Sequence, residues 1–134
     1  MIASSIENLP EFLAYFLSGL TLLILFAYAY SKITPHNEMQ LIREGNTAAA
    51  IGFGGALLGY TLPLASAIAH SVAFIDMLIW GGIGFLVQIA VLGAIRVSIP
   101  GLFRDMESAK VAPAVLLALI SISVGIINAA AMTY

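Results

Sequence analysis

The sequence contains no cysteine and few charges, with five Lys or Arg and seven Asp or Glu among 134 residues. Without cysteine there is no disulfide, no thiolate zinc site, no iron–sulfur cluster and no thiol nucleophile. A formal net charge of −2 provides no basic surface for a nucleic-acid backbone. Charged residues make up 9% of the chain and hydrophobic ones 61%, where a soluble domain carries about 25% and about 45–50%. So few charged side chains cannot cover a soluble particle of this size. The composition specifies a membrane protein.

No Asp, Glu, Lys or Arg occurs in residues 12–31, 47–75, 77–95 or 111–134. Each stretch is long enough for a helix of about 20 residues to cross about 30 Å of hydrocarbon. Strands would need alternating patterns that are absent. The expectation is a single all-α membrane domain over residues 1–134, with four transmembrane helices and only short connections. Ala27-Tyr28-Ala29 is similar to a signal cleavage site, but the segment ahead carries Glu7 and Glu11 and no basic residue. The first stretch therefore reads as a retained helix.

Basic residues are confined to two connections, Lys32 and Arg43 in the first, and Arg96, Arg104 and Lys110 in the other. Neither terminus nor the turn between His70 and Asp76 carries any. This asymmetry predicts a multi-pass protein with both basic connections cytoplasmic and both termini outside, which in a bacterial setting means periplasmic.

Offset by 64 residues, the two halves align. Lys32 meets Arg96, Thr34 meets Ser98, Ala48 and Ala50 meet Ala112 and Ala114, and Ala65 and Ala67 meet Ala129 and Ala131. The layout predicts a tandem repeat of two-helix units, about residues 12–70 and 76–134, related by an axis along the membrane normal. Each basic connection also reads as a short interfacial helix. Thr34 would cap the first, with Pro35 in its first turn. Met39 and Ile42 then share a face, with Glu38 and Arg43 turned away. In the second half Leu102, Phe103 and Met106 oppose Arg104, Asp105 and Glu107. Such helices lie on the inner leaflet or form a docking surface, and a plain solvated turn fits equally well.

In the second span Ala48, Gly52, Gly55, Ala56 and Gly59 recur at three- and four-residue intervals. Such small residues let helix backbones approach, and packing inside the monomer is favoured over a dimer interface. Residues 52–55 are not a phosphate loop, since no Lys-Ser/Thr follows. Pro63 predicts a kink, freeing a carbonyl one turn earlier for Thr61, a neighbouring helix or water. Gln88 and Asn128, with Ser66, Ser121 and Ser123, are the polar residues within the spans. A functional site and helix-to-helix hydrogen bonding both account for them. No charge lies at depth, which weighs against ion-coupled export.

His70 and Asp76 flank the outer turn, but two ligands do not make a metal site, and Asp76 fits a helix cap better. No metal and no cofactor is expected. Trp80, Tyr134 and Tyr15 suit an outer aromatic belt, Tyr28 and Tyr30 the inner boundary. No nucleophile–base pair is evident, so the chain is not expected to be an enzyme. The candidate partner-docking residues are His36, Asn37, Glu38, Arg43 and Asn46, the last also a cap for the second span.

The segment Tyr30-Ser-Lys-Ile-Thr-Pro-His-Asn-Glu38, then Gln40-Leu-Ile42, Asn46-Thr-Ala-Ala49, Gly59-Tyr60, Pro63-Leu64 and Ser66-Ala67, resembles the DUF350 (UPF0719) family. Asp76, Trp80-Gly-Gly-Ile83, Pro100 and Asn128-Ala129-Ala130 extend the likeness over nearly the whole chain. The resemblance implies a small four-span inner-membrane protein built from a tandem repeat. It also implies gene neighbours related to phage-shock membrane maintenance, and no established catalytic residue. The expected function is therefore a non-enzymatic structural or docking component linked to envelope integrity. Its partners would be the lipid bilayer, a phage-shock-type membrane-associated protein, or further copies of itself. The alternative is a small oligomeric channel or transporter.

Overall fold

In the computed structural model, which describes residues 2–132, helix is the only regular element among the described residues. The order is α1 (Ile2–Glu7), α2 (Leu9–Ile33), α3 (Glu38–Arg43), α4 (Thr47–His70), α5 (Phe74–Ser98), α6 (Leu102–Glu107) and α7 (Val111–Ala131). Four of these, α2, α4, α5 and α7, are long and apolar enough to cross a membrane. The short helix α1 has no signal in the charge pattern that marks the spans.

The spans run past the charge-free stretches at several ends. Helix α2 begins at Leu9, with Pro10 and Glu11 in its first turn, and carries Lys32 in its last. Helix α5 likewise keeps Arg96 in its last turn. A cation near a helix C-terminus is favoured by the exposed carbonyls, and its long stem lets the charge reach water. The charges therefore fall within the terminal turns and do not mark the helix ends. One limit moves inward, since helix α4 stops at His70 rather than near residue 75. Helix α5 starts ahead of its charge-free stretch, at Phe74, where the Asp76 carboxylate accepts from the Ala73 amide at 3.3 Å. Tyr134, expected in the outer belt, lies outside the described residues.

Helices α4 and α7 form the closest pair in the bundle. Small residues make that approach possible: a Cβ on Gly55 would fall 2.5 Å from Ala118 Cα, and one on Gly59 would fall 2.5 Å from Ser121 O. The partners are on the same chain, so Gly55 and Gly59 serve packing within the monomer. Pro63 lies inside α4 and has no amide to offer the Gly59 carbonyl. Thr61 does not take that carbonyl; its hydroxyl donates to Leu57 O at 2.7 Å. The Gly59 carbonyl instead faces Gly125 of α7, whose Cα–H can donate to it.

Helix α2 packs on α4 and α5 through aromatic rings. Phe26 stacks on Tyr60 at 4.8 Å between centroids and meets Phe85 edge-on at 5.5 Å. The Tyr60 hydroxyl donates to Gly81 O at 2.8 Å, pinning α4 to α5. Most large apolar side chains of α2, among them Phe12, Phe16, Leu20 and Ile24, point outward, as lipid contact requires. Tyr30, expected at the inner boundary, is instead fully buried. It is covered at the basic end of the bundle, packing on Phe53 at 5.3 Å.

Helices α3 and α6 end in the same turn. Glu44 N, Gly45 N and Asn46 N donate to Gln40 O, Ile42 O and Leu41 O at 3.0, 3.0 and 2.9 Å. The equivalent bonds 64 residues later run from Ser108, Ala109 and Lys110 to Arg104, Met106 and Asp105 at 3.1, 2.9 and 2.9 Å. Gly45 and Ala109 both adopt the left-handed region, with φ 87° and 66°.

Candidate functional site

The five basic residues gather at one end of the bundle, where α2 and α5 finish, α4 and α7 begin, and α3 and α6 lie between them. Arg96 of α5 donates to the Ile33 carbonyl at the end of α2, which ties the two halves there.

Thr34 does not cap α3. It is the residue that closes α2, its amide donating to Tyr30 O at 3.0 Å, and Pro35 lies in the intervening loop. Asn37 caps α3 instead, its side-chain oxygen accepting from Gln40 N at 3.2 Å. Freed from capping, the Thr34 hydroxyl reaches the Glu38 carboxylate. That contact exchanges the expected positions of Glu38 and Met39, while Ile42 stays half-buried and Arg43 stays outward. Glu38 is 2% exposed, while Met39 is 52% exposed. In α6 the expected face holds, with Leu102, Phe103 and Met106 buried and Arg104 outward.

The five candidate docking residues therefore divide. Asn37 and Arg43 present their side chains outward, and His36, Glu38 and Asn46 turn inward. His36 lies beside the Phe103 ring at 6.1 Å, with Nε2 3.3 Å from Glu38 Oε1. Asn46 uses all of its polar atoms. Its Oδ1 accepts from Ala49 N at 3.0 Å, and its Nδ2 donates to Met106 O and Glu107 O at 3.0 and 3.2 Å. Cap and clasp are thus one side chain, fixing α6 across the start of α4. The cap is legible in the sequence, whereas the clasp, 60 residues away, is not. Tyr30, Phe103 and Met106, which roof this end, carry no sequence signal that makes them site neighbours.

Deeper in the bundle, Gln88 is 2% exposed and its Nε2 donates to Ser121 O at 3.1 Å. Asn128 Nδ2 donates to Gly84 O at 3.3 Å and Gln88 Oε1 at 3.4 Å. These amides join α5 to α7, as helix-to-helix bonding requires in a medium without water. At the opposite end Ser66 donates to Ala129 O at 3.2 Å, and His70 Nδ1 lies 3.1 Å from Ser66 O. Asp76 acts as a cap there. Among the described residues, no group of three or more His, Asp or Glu converges on one point.

Comparison with known proteins accords with this architecture. The chain is similar to the UPF0719 inner membrane protein YjfL of Escherichia coli K12, 41% identical over 96% of this chain and 98% of that one. It is also 29% identical to the UPF0719 transmembrane protein YshE of Bacillus subtilis, over 60% of each chain. No solved structure matches. The model of the Domain of Unknown Function DUF350 matches residues 4–132, and the chain belongs to that family of inner-membrane proteins.

Proposed function

We propose that the protein is a non-enzymatic component of a bacterial inner membrane whose basic end docks a peripheral partner. The observation that carries this reading is the Asn46 clasp to Met106 O and Glu107 O. A connection that only joins two spans has no need to be fastened, whereas a docking surface gains by being ordered in advance. The outward face carries Asn37, Gln40, Arg43 and Glu44 from α3 and its flanks, with Arg104 and Glu107 from α6. Its mixed signs suit a charged protein surface better than a bare anionic leaflet. The charge asymmetry supports a cytoplasmic location for this end. Envelope maintenance is the setting that the family resemblance suggests, and the shared turn geometry 64 residues apart supports descent from a tandem repeat.

The rival reading, an oligomeric channel or transporter, draws on Gln88 and Asn128. Both amides are engaged in α5–α7 contacts, which favours a packing role. A photo-crosslinking residue at position 43, compared with one at the lipid-facing position 58, tests docking in intact membranes. One discrete adduct at position 43, lost when Arg104→Gln is added at unchanged membrane level, supports it. No adduct at position 43, together with ion flux in liposomes that Gln88→Leu abolishes, would replace docking with the channel.

A further inference from the structure

We propose that Arg96 and Arg104 hold the phosphodiester of one anionic phospholipid, of phosphatidylglycerol type, in the cavity between the end of α5 and α6. This goes beyond the docking reading and does not depend on it. The cavity measures about 290 Å³, with Arg96, Arg104, Glu107, Ile99, Phe103 and Pro35 in its walls. Elsewhere at this end Lys110 pairs with Asp105 at 3.5 Å, and Lys32 lies over the Tyr28 ring, 5.2 Å from its centroid. Arg96 and Arg104 have no carboxylate within ion-pair distance among the described residues, although Glu107 lines the same cavity. Arg96 is also held in place, since its guanidinium donates to the Ile33 carbonyl. That bond uses part of the donor set and leaves the rest for a second acceptor.

Charge identifies the class of ligand. Two cations and one carboxylate leave the lining with one net positive charge, which a singly charged phosphodiester neutralises. Arginine takes phosphate through paired N–H bonds, and basic pockets beside membrane spans seat lipid headgroups. Glu107 can accept from a headgroup hydroxyl, which glycerol supplies. A zwitterionic headgroup would leave the positive charge unmatched. Ile99 also lines a second cavity of about 290 Å³, walled by Pro100, Leu102, Pro113 and Leu116. The carboxylate at its edge, Asp105, is already paired with Lys110. Leu116 lies about 7–8 Å along α7 from Val111, so this apolar groove leads from the basic end toward the middle of the span. A charged cavity and an apolar one that meet at Ile99 match an amphiphile rather than a free anion. The site occurs once. Offset by 64 residues, Arg96 becomes Lys32 and Arg104 becomes Gln40, whose side chain donates to Glu44 Oε1 at 3.3 Å.

The test uses the full chain, delipidated in detergent and titrated with phosphatidylglycerol or phosphatidylethanolamine under native mass spectrometry, with inorganic phosphate and glycerophosphoglycerol as competitors. The expected result is one phosphatidylglycerol per chain, held about tenfold more tightly than phosphatidylethanolamine and displaced by neither competitor at equal concentration. Arg96→Gln should weaken it by about tenfold, and Lys32→Gln, which removes the same charge from the same end, should leave it unchanged. Arg96 lies outside the docking face, so the two readings fail separately. Should Arg96→Gln unfold through loss of the Ile33 bond, Arg104→Gln takes its place with the same expected loss, because that guanidinium has no hydrogen bond to lose among the described residues. Equal retention of the two lipids by the wild-type chain overturns the proposal without any variant. Displacement by inorganic phosphate overturns it in favour of a free-anion site, and equal losses in Lys32→Gln and Arg96→Gln reduce it to general attraction by the basic end.

Discussion

Gly125 lies so close to Gly59 across the α4–α7 contact that a Cβ on Gly125 would fall 2.9 Å from the Gly59 carbonyl carbon. Backbone meets backbone there. The carbonyl that Pro63 leaves without its amide is the one that Gly125 approaches.

Adjacent glycines of α4 should consequently behave in opposite ways. A methyl on Gly55 would meet Ala118 backbone, while a methyl on Gly54 would meet nothing within 4 Å. Gly55→Ala should lower stability by about 1–3 kcal/mol, the usual cost of forcing extra volume into a packed contact. Gly54→Ala should be neutral or stabilising by up to about 1 kcal/mol, through helix propensity. Thermal unfolding in detergent, with oligomer size by light scattering, measures both. Equal effects at the two positions would remove the packing argument.

Ala109 holds φ 66° at the turn where Gly45, 64 residues earlier, holds φ 87°. Alanine is strained in the left-handed region by roughly 1–2 kcal/mol, and glycine is not. Nothing lies within 4 Å of a Cβ built at Gly45, so the cost of alanine there comes from φ alone. Ala109→Gly is expected to raise stability by about 1 kcal/mol, and Gly45→Ala to lower it by a similar amount. A lower melting temperature for Ala109→Gly would contradict this account.

Particular residues show how far the sequence can be read. Spans are legible because charge is costly in hydrocarbon, and each charge-free stretch finds one of the four long helices without fixing its ends. The small-residue stripe of α4 is legible too, but its partners Ala118, Ser121 and Gly125 lie in another helix, and spacing alone cannot choose that helix. Glu38 departs from its expected outward position for a physical reason. A charge near the interface is ordinarily turned to water, and only the Thr34 hydroxyl and His36 ring draw this one inward. Tyr30 is covered for a similar reason, since the interface is aromatic-friendly only where nothing folds over it, and here the basic-end connections do.

Asn46 allows its two tasks to be separated. Asn46→Asp retains the oxygen that caps α4 but replaces the amide that donates to Met106 O and Glu107 O. The carboxylate would then face two carbonyls that it cannot bond. Asn46→Ala removes both cap and clasp, for a loss of about 2 kcal/mol when the terms add. Hydrogen exchange in α6 should rise in both variants, while exchange at the start of α4 rises only in Asn46→Ala. Unchanged α6 exchange in Asn46→Asp would show that α6 is held by Leu102, Phe103 and Met106 alone.

The orientation follows from the charge distribution and can be tested without knowledge of any partner. Lys32, Arg43, Arg96, Arg104 and Lys110 share one end of the bundle, and the turn between α4 and α5 contains no Lys or Arg. Translocating five cations is unfavourable against retaining them, so the basic end should remain in the cytoplasm. An even number of spans then places both termini on the far side. Alkaline phosphatase fused after residue 134 should be active, and a fluorescent protein fused there should be dark. Fusions truncated within α3 should give the reverse pattern. Replacing Arg96, Arg104 and Lys110 by Gln should weaken the preference, so that both reporters give partial signals, because Lys32 and Arg43 alone then define the inside. Fluorescence from the carboxyl-terminal fusion of the unaltered chain would invert the topology and place the docking face in the periplasm.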